Sequence, residues 1–463
     1  MSSVNPDQPT GVSRGAFLRN AGLAAAGAGV AASVPALLGD AKAADPVTIN
    51  YWNGWTEDAA KKIQGINANF TKKNPNIIVK DVVVSGDMNA KLLAAIAAGS
   101  PPDVVTFFGA GNVYSMADQN ALVPLDEVAS PQQIAQMKKW VTPAVWDLGT
   151  YKGRVYGIAQ WSQSWLIIWN KTQAKAAGLD VNKGIQTLAD LQMWATKLTQ
   201  YDSRKNITRL GFTETWLDRW LPCFGGQFTD AKGNVTANHP NNVKALEYLV
   251  SFSKMLDPKK VAAFQTALAG AGERSAGLDP FLTGKVSMQV NGPWELGSIH
   301  NYAPAGFEYG TSFLPSPANM PGLGMYTYGD VPVVPRGAPH PKEAWEFISY
   351  LTGASGDHTQ YTDLFRAWTC VNAPVSELML GIPSFKSAVT DVCAGYDKFT
   401  HAFFHAKRYL YPPKLPIAAF YENTLGSYVD KARLLQMTPK AALDEVQKLV
   451  SHELAQYIAT HKS

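Results

Sequence analysis

Tryptophan residues stand beside polar and charged residues at several points of the chain. Trp161 and Trp165 alternate with polar side chains in the sequence QWSQSW, and Trp216 and Trp220 are four residues apart in TWLDRW. An indole ring can cover the apolar C–H face of a sugar, while neighbouring polar groups hydrogen-bond the hydroxyls. On a helix, the four-residue spacing would place Trp216 and Trp220 on one face. These patterns favour a binding site for a hydroxyl-rich molecule; the alternative for each ring is a place in the hydrophobic core.

Catalytic and cofactor motifs are missing from the sequence. It contains no nucleophile elbow, no Walker loop, no dinucleotide fingerprint and no Ser-His-Asp signature. His401 and His405 have the spacing of helical metal ligands, but a general-base Glu and a third ligand are lacking, so we expect structural histidines. Adjacent acidic pairs such as Asp126-Glu127 are typical of solvated faces and not of a glycosidase dyad. We therefore expect a protein that is not an enzyme and that uses no cofactor or metal.

The first 44 residues have the composition of an export signal. Arg14 and Arg19 precede an Ala-rich apolar segment, and Ala41-Lys42-Ala43 has the small-x-small pattern of a cleavage site. The start resembles a twin-arginine signal in which Gly15 replaces the second Arg, so both the Tat and the Sec route remain open. An uncleaved membrane anchor is the competing interpretation. No later segment is long and apolar enough to span a bilayer, and we expect an exported protein of the periplasm or cell surface.

Length and composition indicate which class of protein this chain belongs to. The 463 residues are 46% hydrophobic and 17% charged with a net charge of +4, which is typical of a globular protein with two domains. The charge is too small and too dispersed to predict nucleic-acid binding. Cys370 and Cys393 are the closest pair among the three cysteines, and the odd number leaves Cys223 or another thiol unpaired.

Strands and helices alternate in the first part of the chain. The patterns predict strands over 46–52, 77–84 and 103–108, separated by helices that run to about Lys72 and from Met88 to Ala98. This alternation predicts βαβ units and a mostly parallel sheet. Ligands of such sheets bind at the carboxyl ends of the strands. These ends carry the residues Trp52, Asn53, Trp55, Phe108 and Gly109.

A family resemblance rests on several sequence blocks that occur in order. The segment FLTGKVSMQVNGPW (281–294) combines an alternating strand with a sharp Gly-Pro turn and a Trp. It resembles the signature of bacterial extracellular solute-binding proteins, family 1, which includes maltose-binding protein. Further similar blocks are FTKKNPNIIVK (70–80), KLLAAIAAGSPPDVV (91–105), LVPLDE (122–127), GRVYGIAQ (153–160) and HPKEAWEFISYLT (340–352). Ala159 replaces the usual Pro of the block GRVYGIAQ, which affects the expected pocket more than the fold.

The resemblance implies an α/β periplasmic-binding-protein-like (type II) fold with two discontinuous lobes, a hinge and a ligand cleft between them. It places the N-terminal lobe at 45–160 plus 293–330 and the C-terminal lobe at 161–291 plus 331–463. Chain crossings are expected near 160–163, 290–292 and 330–333. The expected ligand contacts are Trp52, Asn53, Trp55, Phe108, Gly109, Gln160, Trp161, Trp165, Trp216, Trp220, Trp294, Tyr326, Tyr328, Asp330 and Arg366.

The implied function is that of a substrate-binding component of an ABC importer. We expect it to bind a sugar or small oligosaccharide as a monomer and to deliver this ligand to the transmembrane permease subunits. One alternative ligand is a phosphorylated polyol or glycerophosphodiester, which Arg219 and Arg366 would suit. An exported glycan-degrading enzyme is an alternative from another class, and a sensory role in place of transport also fits the sequence.

Overall fold

The computed structural model describes most of the chain that follows the expected signal. The described residues are 45–213, 216–270, 279–354, 362, 374, 376–381, 383–389, 393 and 395–461. The strands are β1 (Val47–Asn53), β2 (Ile77–Val83), β3 (Val104–Phe108), β4 (Leu122–Val123), β5 (Thr150–Tyr151), β6 (Arg154–Val155), β7 (Ser162–Gln163), β8 (Leu166–Asn170), β9 (Gln200–Tyr201), β10 (Ile207–Arg209), β11 (Met288–Asn291), β12 (Tyr309–Phe313), β13 (Gly324–Tyr326), β14 (Tyr328–Pro335) and β15 (Arg408–Leu410).

Helices cover the sheets and form the end of the chain. They are α1 (Glu57–Lys73), α2 (Met88–Ala97), α3 (Ala110–Asp118), α4 (Pro131–Trp140), α5 (Pro143–Leu148), α6 (Lys171–Ala176), α7 (Leu188–Leu198), α8 (Leu221–Phe224), α9 (Pro240–Leu256), α10 (Pro258–Gly270), α11 (Trp294–Tyr302), α12 (Pro341–Thr352), α13 (Pro383–Val389), α14 (Tyr396–Phe404), α15 (Ala418–Arg433) and α16 (Pro439–Thr460). Single 3₁₀ turns lie at Leu125–Glu127 and Glu377–Gly381. In the described part of the chain, no helix has both the length and the apolar character needed to cross a bilayer.

The first sheet has the strand order β2-β1-β3-β14-β4, with β7 paired to β14. β1 pairs in parallel with β2 and with β3, as the alternation of strands and helices predicts. β14 is antiparallel to β3, and this register sets Asp330 opposite Phe108. The expectation of a parallel sheet is therefore correct for β1 to β3 only. The register also brings residues more than 200 positions apart in sequence to one edge of the sheet.

The second sheet has the order β11-β8-β12 and is entirely antiparallel. Val286, Met288 and Val290 are all buried, so the alternating pattern before the Gly-Pro turn corresponds to one buried face. Helix α14 packs against β12 of this sheet: the ammonium of Lys398 donates to the carbonyl oxygen of Thr311 at 3.0 Å, and the ring of His401 lies 5.7 Å from that of Phe313.

Strand pairing corrects the lobe boundaries that the resemblance implied. β12 lies within 293–330, which was assigned to the N-terminal lobe, yet all five of its residues pair with β8 of the second sheet. β14 and α12 lie mostly within 331–463, yet β14 pairs with β3. The phenyl ring of Phe347 on α12 packs 5.1 Å from the ring of Tyr51 on β1. The chain therefore stays with the second sheet at 290–292 and passes from the first sheet to the second at 164–165. It returns to the first sheet at Thr327, directly after β13, which pairs in parallel with β15 in a separate two-stranded ladder.

The two described cysteines differ in whether they form a disulfide bond. Cys223 is a buried free thiol on α8, whereas Cys393 is disulfide-bonded. Cys370, the other half of the expected pair, lies outside the described residues.

Candidate functional site

The turn after β1 is held by buried amide groups. The Nδ2 of Asn53 donates to Oδ1 of Asp81 at 2.9 Å, and the backbone N–H of Trp55 donates to Oδ1 of Asn53 at 3.2 Å. The Nδ2 of Asn67 donates to the second carboxylate oxygen of Asp81 at 2.7 Å. Both polar ends of Asn53 are thus engaged within the fold. Asn53 acts by placing Trp55, while the neighbouring Trp52 packs half-buried against the core.

A first group of aromatic rings forms where β1 and β3 end. The ring of Trp55 lies edge-on to Phe108, at 5.2 Å between centroids, and to Trp161, at 5.9 Å. The indole N–H of Trp161 donates to Oδ2 of Asp330 at 2.7 Å. Phe108 remains 42% exposed, so this group presents an accessible ring beside a buried acid.

Gly109 allows Tyr328 to approach the start of α3. Its φ is 93°, which lies in the left-handed region, and a Cβ at this position would lie only 2.7 Å from Cε2 of Tyr328. The phenol ring of Tyr328 therefore covers the Gly109 backbone. Tyr326, on the other side of the chain crossing, has its ring centroid 6.2 Å from that of Tyr328. The two tyrosines connect the first group of rings to the second.

The second group of rings is centred on Trp165. Its indole N–H donates to the carbonyl oxygen of Tyr326 at 3.3 Å, and its ring meets Trp294 edge-to-face at 5.3 Å. The guanidinium of Arg219 lies 3.7 Å from the ring centroid of Trp165 and 4.9 Å from that of Trp216. Such cation–π contacts hold the guanidinium in place between the two indoles. Trp216 is 55% exposed and offers the most accessible indole of this group.

Three carboxyl groups lie beside these rings. Burial raises the pKa of Asp330 to about 7, against the effect of the hydrogen bond from Trp161. Burial also raises the pKa of Glu422 to about 7, and the nearby charge of Asp218 adds to the rise. Burial raises the pKa of Asp218 as well, although the Arg219 cation opposes the change. Within the described residues, none of these carboxyls has a cationic side chain in an ion pair.

Glu422 was not found by the sequence reasoning. It lies on α15, accepts a hydrogen bond from the phenol of Tyr326 at 3.3 Å, and packs against Gly111 at the start of α3. A Cβ on residue 111 would lie 2.6 Å from Oε2 of Glu422. No local motif marks this residue, because its neighbours in the site come from segments about 95 and 310 positions away in sequence.

Some predicted contacts are buried within the fold. Trp220 is fully buried with its ring 5.4 Å from Tyr248, so the expected helical face shared with Trp216 is wrong. Helix α8 begins only at Leu221, with Pro222 in its first turn, and Trp216 precedes it in a non-helical segment. Gln160 is also fully buried, and its backbone N–H donates to the carbonyl oxygen of Asp330 at 2.9 Å.

One predicted contact, Arg366, lies outside the described residues. Among the described residues, His, Cys, Asp and Glu side chains form no group of three or more that could hold a metal ion.

Comparison with known proteins identifies the family of this chain. The family model described as "Bacterial extracellular solute-binding protein" matches residues 35–357. The chain belongs to this family. An ABC transporter extracellular-binding protein of Pyrococcus horikoshii, PH1214, is 26% identical over 67% of this chain and 68% of its own. The sn-glycerol-3-phosphate-binding protein UgpB of Escherichia coli K12 is 24% identical over 61% of this chain and 64% of its own.

Solved structures of other binding proteins share the fold of this solute-binding protein. The protein CpMnBP1 with mannotriose bound has a TM-score of 0.70 and 26% identity, covering 87% of this chain and 99% of that one. The sugar-binding protein MalE of Xanthomonas citri has a TM-score of 0.67 and 19% identity, covering 90% and 100%. The predicted family, the two-lobed α/β binding-protein fold and the solute-binding role are confirmed by these matches.

Proposed function

We propose that this solute-binding protein is the extracytoplasmic component of an ABC importer, and that it binds a sugar or small oligosaccharide. The observation that carries the proposal is the joined pair of ring groups around Trp55 and Trp165, with carboxyls beside them. Rings that stack on C–H faces, next to hydrogen-bond acceptors, suit a ligand with alternating apolar and hydroxyl surfaces. The relation to CpMnBP1, solved with mannotriose, and to PH1214, an ABC transporter protein, supports the same class of ligand and partner.

The charge of the described site disfavours a phosphorylated ligand. Asp218, Asp330 and Glu422 offer no positive charge to a phosphate and become negative as pH rises above their raised pKa values, and the guanidinium of Arg219 already lies over two indoles. A phosphate site normally gathers several cations or the N–H groups of a helix start. At the start of α3 the structure instead places the carboxylate of Glu422 beside Gly111. The site therefore suits a neutral sugar better than it suits sn-glycerol 3-phosphate, the ligand named in the description of UgpB.

Binding would act through closure of the two lobes. The site residues come from both sides of the crossings at 164–165 and Thr327, so a ligand that contacts both groups of rings would stabilise the closed arrangement. The closed protein would then engage the permease subunits as a monomer. Residues 1–44 would direct export and be removed before this cycle, by either the Tat or the Sec route.

Thermal-shift and calorimetric titration test the ligand class. We expect mannobiose, mannotriose or another neutral saccharide of a panel to raise the melting temperature by about 3 °C at a hundred times its Kd, because such saturation stabilises by about 2.7 kcal/mol. Glycerol 3-phosphate should give no shift. Trp294→Ala should remove the saccharide shift, whereas Tyr201→Ala, which truncates an exposed ring on β9, should keep it. A shift with glycerol 3-phosphate alone would refute the proposal.

A hydrolase function makes a different prediction for the same acids. Two carboxyls whose pKa values are near 7 could in principle serve a glycosidase, which needs a pair 5–10 Å apart across the scissile bond. We propose that Asp330 and Glu422 bind hydroxyls and cleave nothing. Incubation of the protein with the saccharide that it binds should release no reducing ends, and Glu422→Gln should weaken binding without changing this result. Steady release that Glu422→Gln abolishes would support the enzyme instead.

A further inference from the structure

Gly292 is required for space and not for backbone conformation. It lies between β11 and α11, and its φ is not among the positive values of the described glycines. A Cβ at this position would lie 1.9 Å from Cζ3 and 2.2 Å from Cη2 of Trp294. The six-membered ring of Trp294 therefore rests directly on the Gly292 backbone. Any larger residue would force either the ring or the turn to move.

The turn beneath this ring is fixed by its own hydrogen bonds. Oδ1 of Asn291 accepts from the backbone N–H of Gly292 at 2.9 Å, and Nδ2 of Asn291 donates to Oε2 of Glu295 at 2.8 Å. The backbone N–H of Glu295 donates in turn to the carbonyl oxygen of Gly292 at 3.1 Å. Glu295 is only 3% exposed, so this small network belongs to the rigid interior. It leaves the turn little freedom to relieve a clash.

Trp165 bounds the ring of Trp294 on another side. The two indoles are almost perpendicular, at 86°, with 5.3 Å between centroids. Trp165 is itself 6% exposed and is anchored by its N–H to the carbonyl oxygen of Tyr326. The half-buried indole of Trp294 is thus confined between a backbone surface and a fixed ring.

We infer that Gly292 and Trp165 are positioning residues that hold the indole of Trp294 in one orientation for ligand binding. The inference rests on the proposed function and deepens it. A ring that is already fixed loses little rotamer freedom when the ligand binds, and ordering one side chain otherwise weakens an affinity by about two- to ten-fold. Displacement of the ring by an added methyl group would also remove part of its contact with the ligand.

Gly292→Ala tests this inference against a matched control. Gly65→Ala adds the same methyl group on α1, where no atom lies within 4 Å of the new Cβ. We expect Gly292→Ala to weaken the binding of mannotriose, or of the panel saccharide that binds the wild type, by about ten-fold or more. Gly65→Ala should leave that affinity unchanged. Near-ultraviolet circular dichroism of Gly292→Ala should lose the same Trp signal that Trp294→Leu removes.

A double variant separates positioning from a general structural effect. If Gly292 acts through the ring, Gly292→Ala should change the affinity less than two-fold in the Trp294→Leu background. Independent, multiplicative losses would overturn the inference. Should Gly292→Ala fail to fold, Trp165→Phe examines the same ring from its other side, and the loss of affinity that it causes should be smaller in the Trp294→Leu background than in the wild type.

The two proposals fail in different ways. If no saccharide binds the wild type, the proposed function is refuted and this inference is refuted with it. If a saccharide binds the wild type and Gly292→Ala equally well, only the positioning role of Gly292 is refuted. Unchanged circular dichroism in Gly292→Ala would lead to the same conclusion without any ligand.

Discussion

Asp330→Asn should stabilise the protein at alkaline pH and leave it almost unchanged at acid pH. Asp330 is 6% exposed, and its carboxylate accepts the indole N–H of Trp161. An Asn side chain has nearly the same shape and retains an oxygen for this hydrogen bond. The substitution therefore removes the buried negative charge and little else.

The expected change of this stability difference with pH follows from the pKa of Asp330. Burial raises this pKa from 3.8 to about 7, so between these pH values the folded protein binds a proton that the unfolded chain has lost. The free energy of unfolding consequently falls as pH rises from about 4 to about 7, and the loss is complete above pH 7. Asp330→Asn avoids this loss, so the difference between variant and wild type should grow over the same interval.

The magnitude can be bounded from the same values. A rise from 3.8 to about 7 corresponds to at most about 4 kcal/mol, because each pKa unit is worth 1.36 kcal/mol. The 419 residues from 45 to 463 (463 − 44) have an unfolding entropy of about 0.9 kcal/mol/K at 2.1 cal/mol/K per residue. The melting temperature of Asp330→Asn should therefore exceed that of the wild type by up to about 5 °C at pH 8, and by less than about 1 °C at pH 4.

Differential scanning calorimetry from pH 4 to pH 8, without ligand, measures this difference. Asp118→Asn is the control of opposite sign. Although burial raises the pKa of Asp118, hydrogen bonds from Lys152, Tyr457 and Tyr151 lower it overall. Asp118→Asn should therefore destabilise by a nearly constant amount from pH 8 down to about pH 4, because the stability that a lowered pKa provides is lost only below the ordinary pKa of 3.8. A difference for Asp330→Asn that stays constant with pH would refute the reasoning.

Two further outcomes test the placement of single side chains. Trp220→Ala should lower the free energy of unfolding by about 3–5 kcal/mol, because it removes a fully buried ring that packs on Tyr248. Trp216→Ala should lower it by less than about 1 kcal/mol and should weaken ligand binding instead. Equal losses of stability in chemical denaturation would contradict this assignment. Burial raises the pKa of the Cys223 thiol to about 12, so Ellman's reagent should label it only in denaturant, and rapid labelling of the native protein would show that the thiol is accessible.

Local sequence patterns predicted the first part of the fold closely. The strands expected at 46–52, 77–84 and 103–108 occur at Val47–Asn53, Ile77–Val83 and Val104–Phe108. Short-range periodicity and Gly or Pro breaks determine such elements, and both are visible in a short window of sequence. The same kind of local signal marks the start of α16, where the side chain of Thr438 accepts from the backbone N–H of Ala441 and Pro439 occupies the first helical position.

Long-range pairing was beyond the same reasoning. The assignment of β12 and β14 to the opposite lobes failed because strand partners are chosen by packing and register, which a single sequence does not display. The shared helical face of Trp216 and Trp220 failed because the helix starts after both residues. The four-residue spacing of the two Trp residues therefore does not place them on a common helical face.

The sequence by itself determined the family, the alternating strands and helices, and the abundance of aromatic residues, because short segments or composition alone carry each of these. The tertiary structure decided which rings meet and which charges accompany them. Glu422 reaches Tyr326 and Gly111 only after three distant segments are packed together, and the ring of Trp294 meets Trp165 although more than 100 residues separate them in sequence. Contacts of this kind depend on the path of the whole chain, and no local pattern encodes that path.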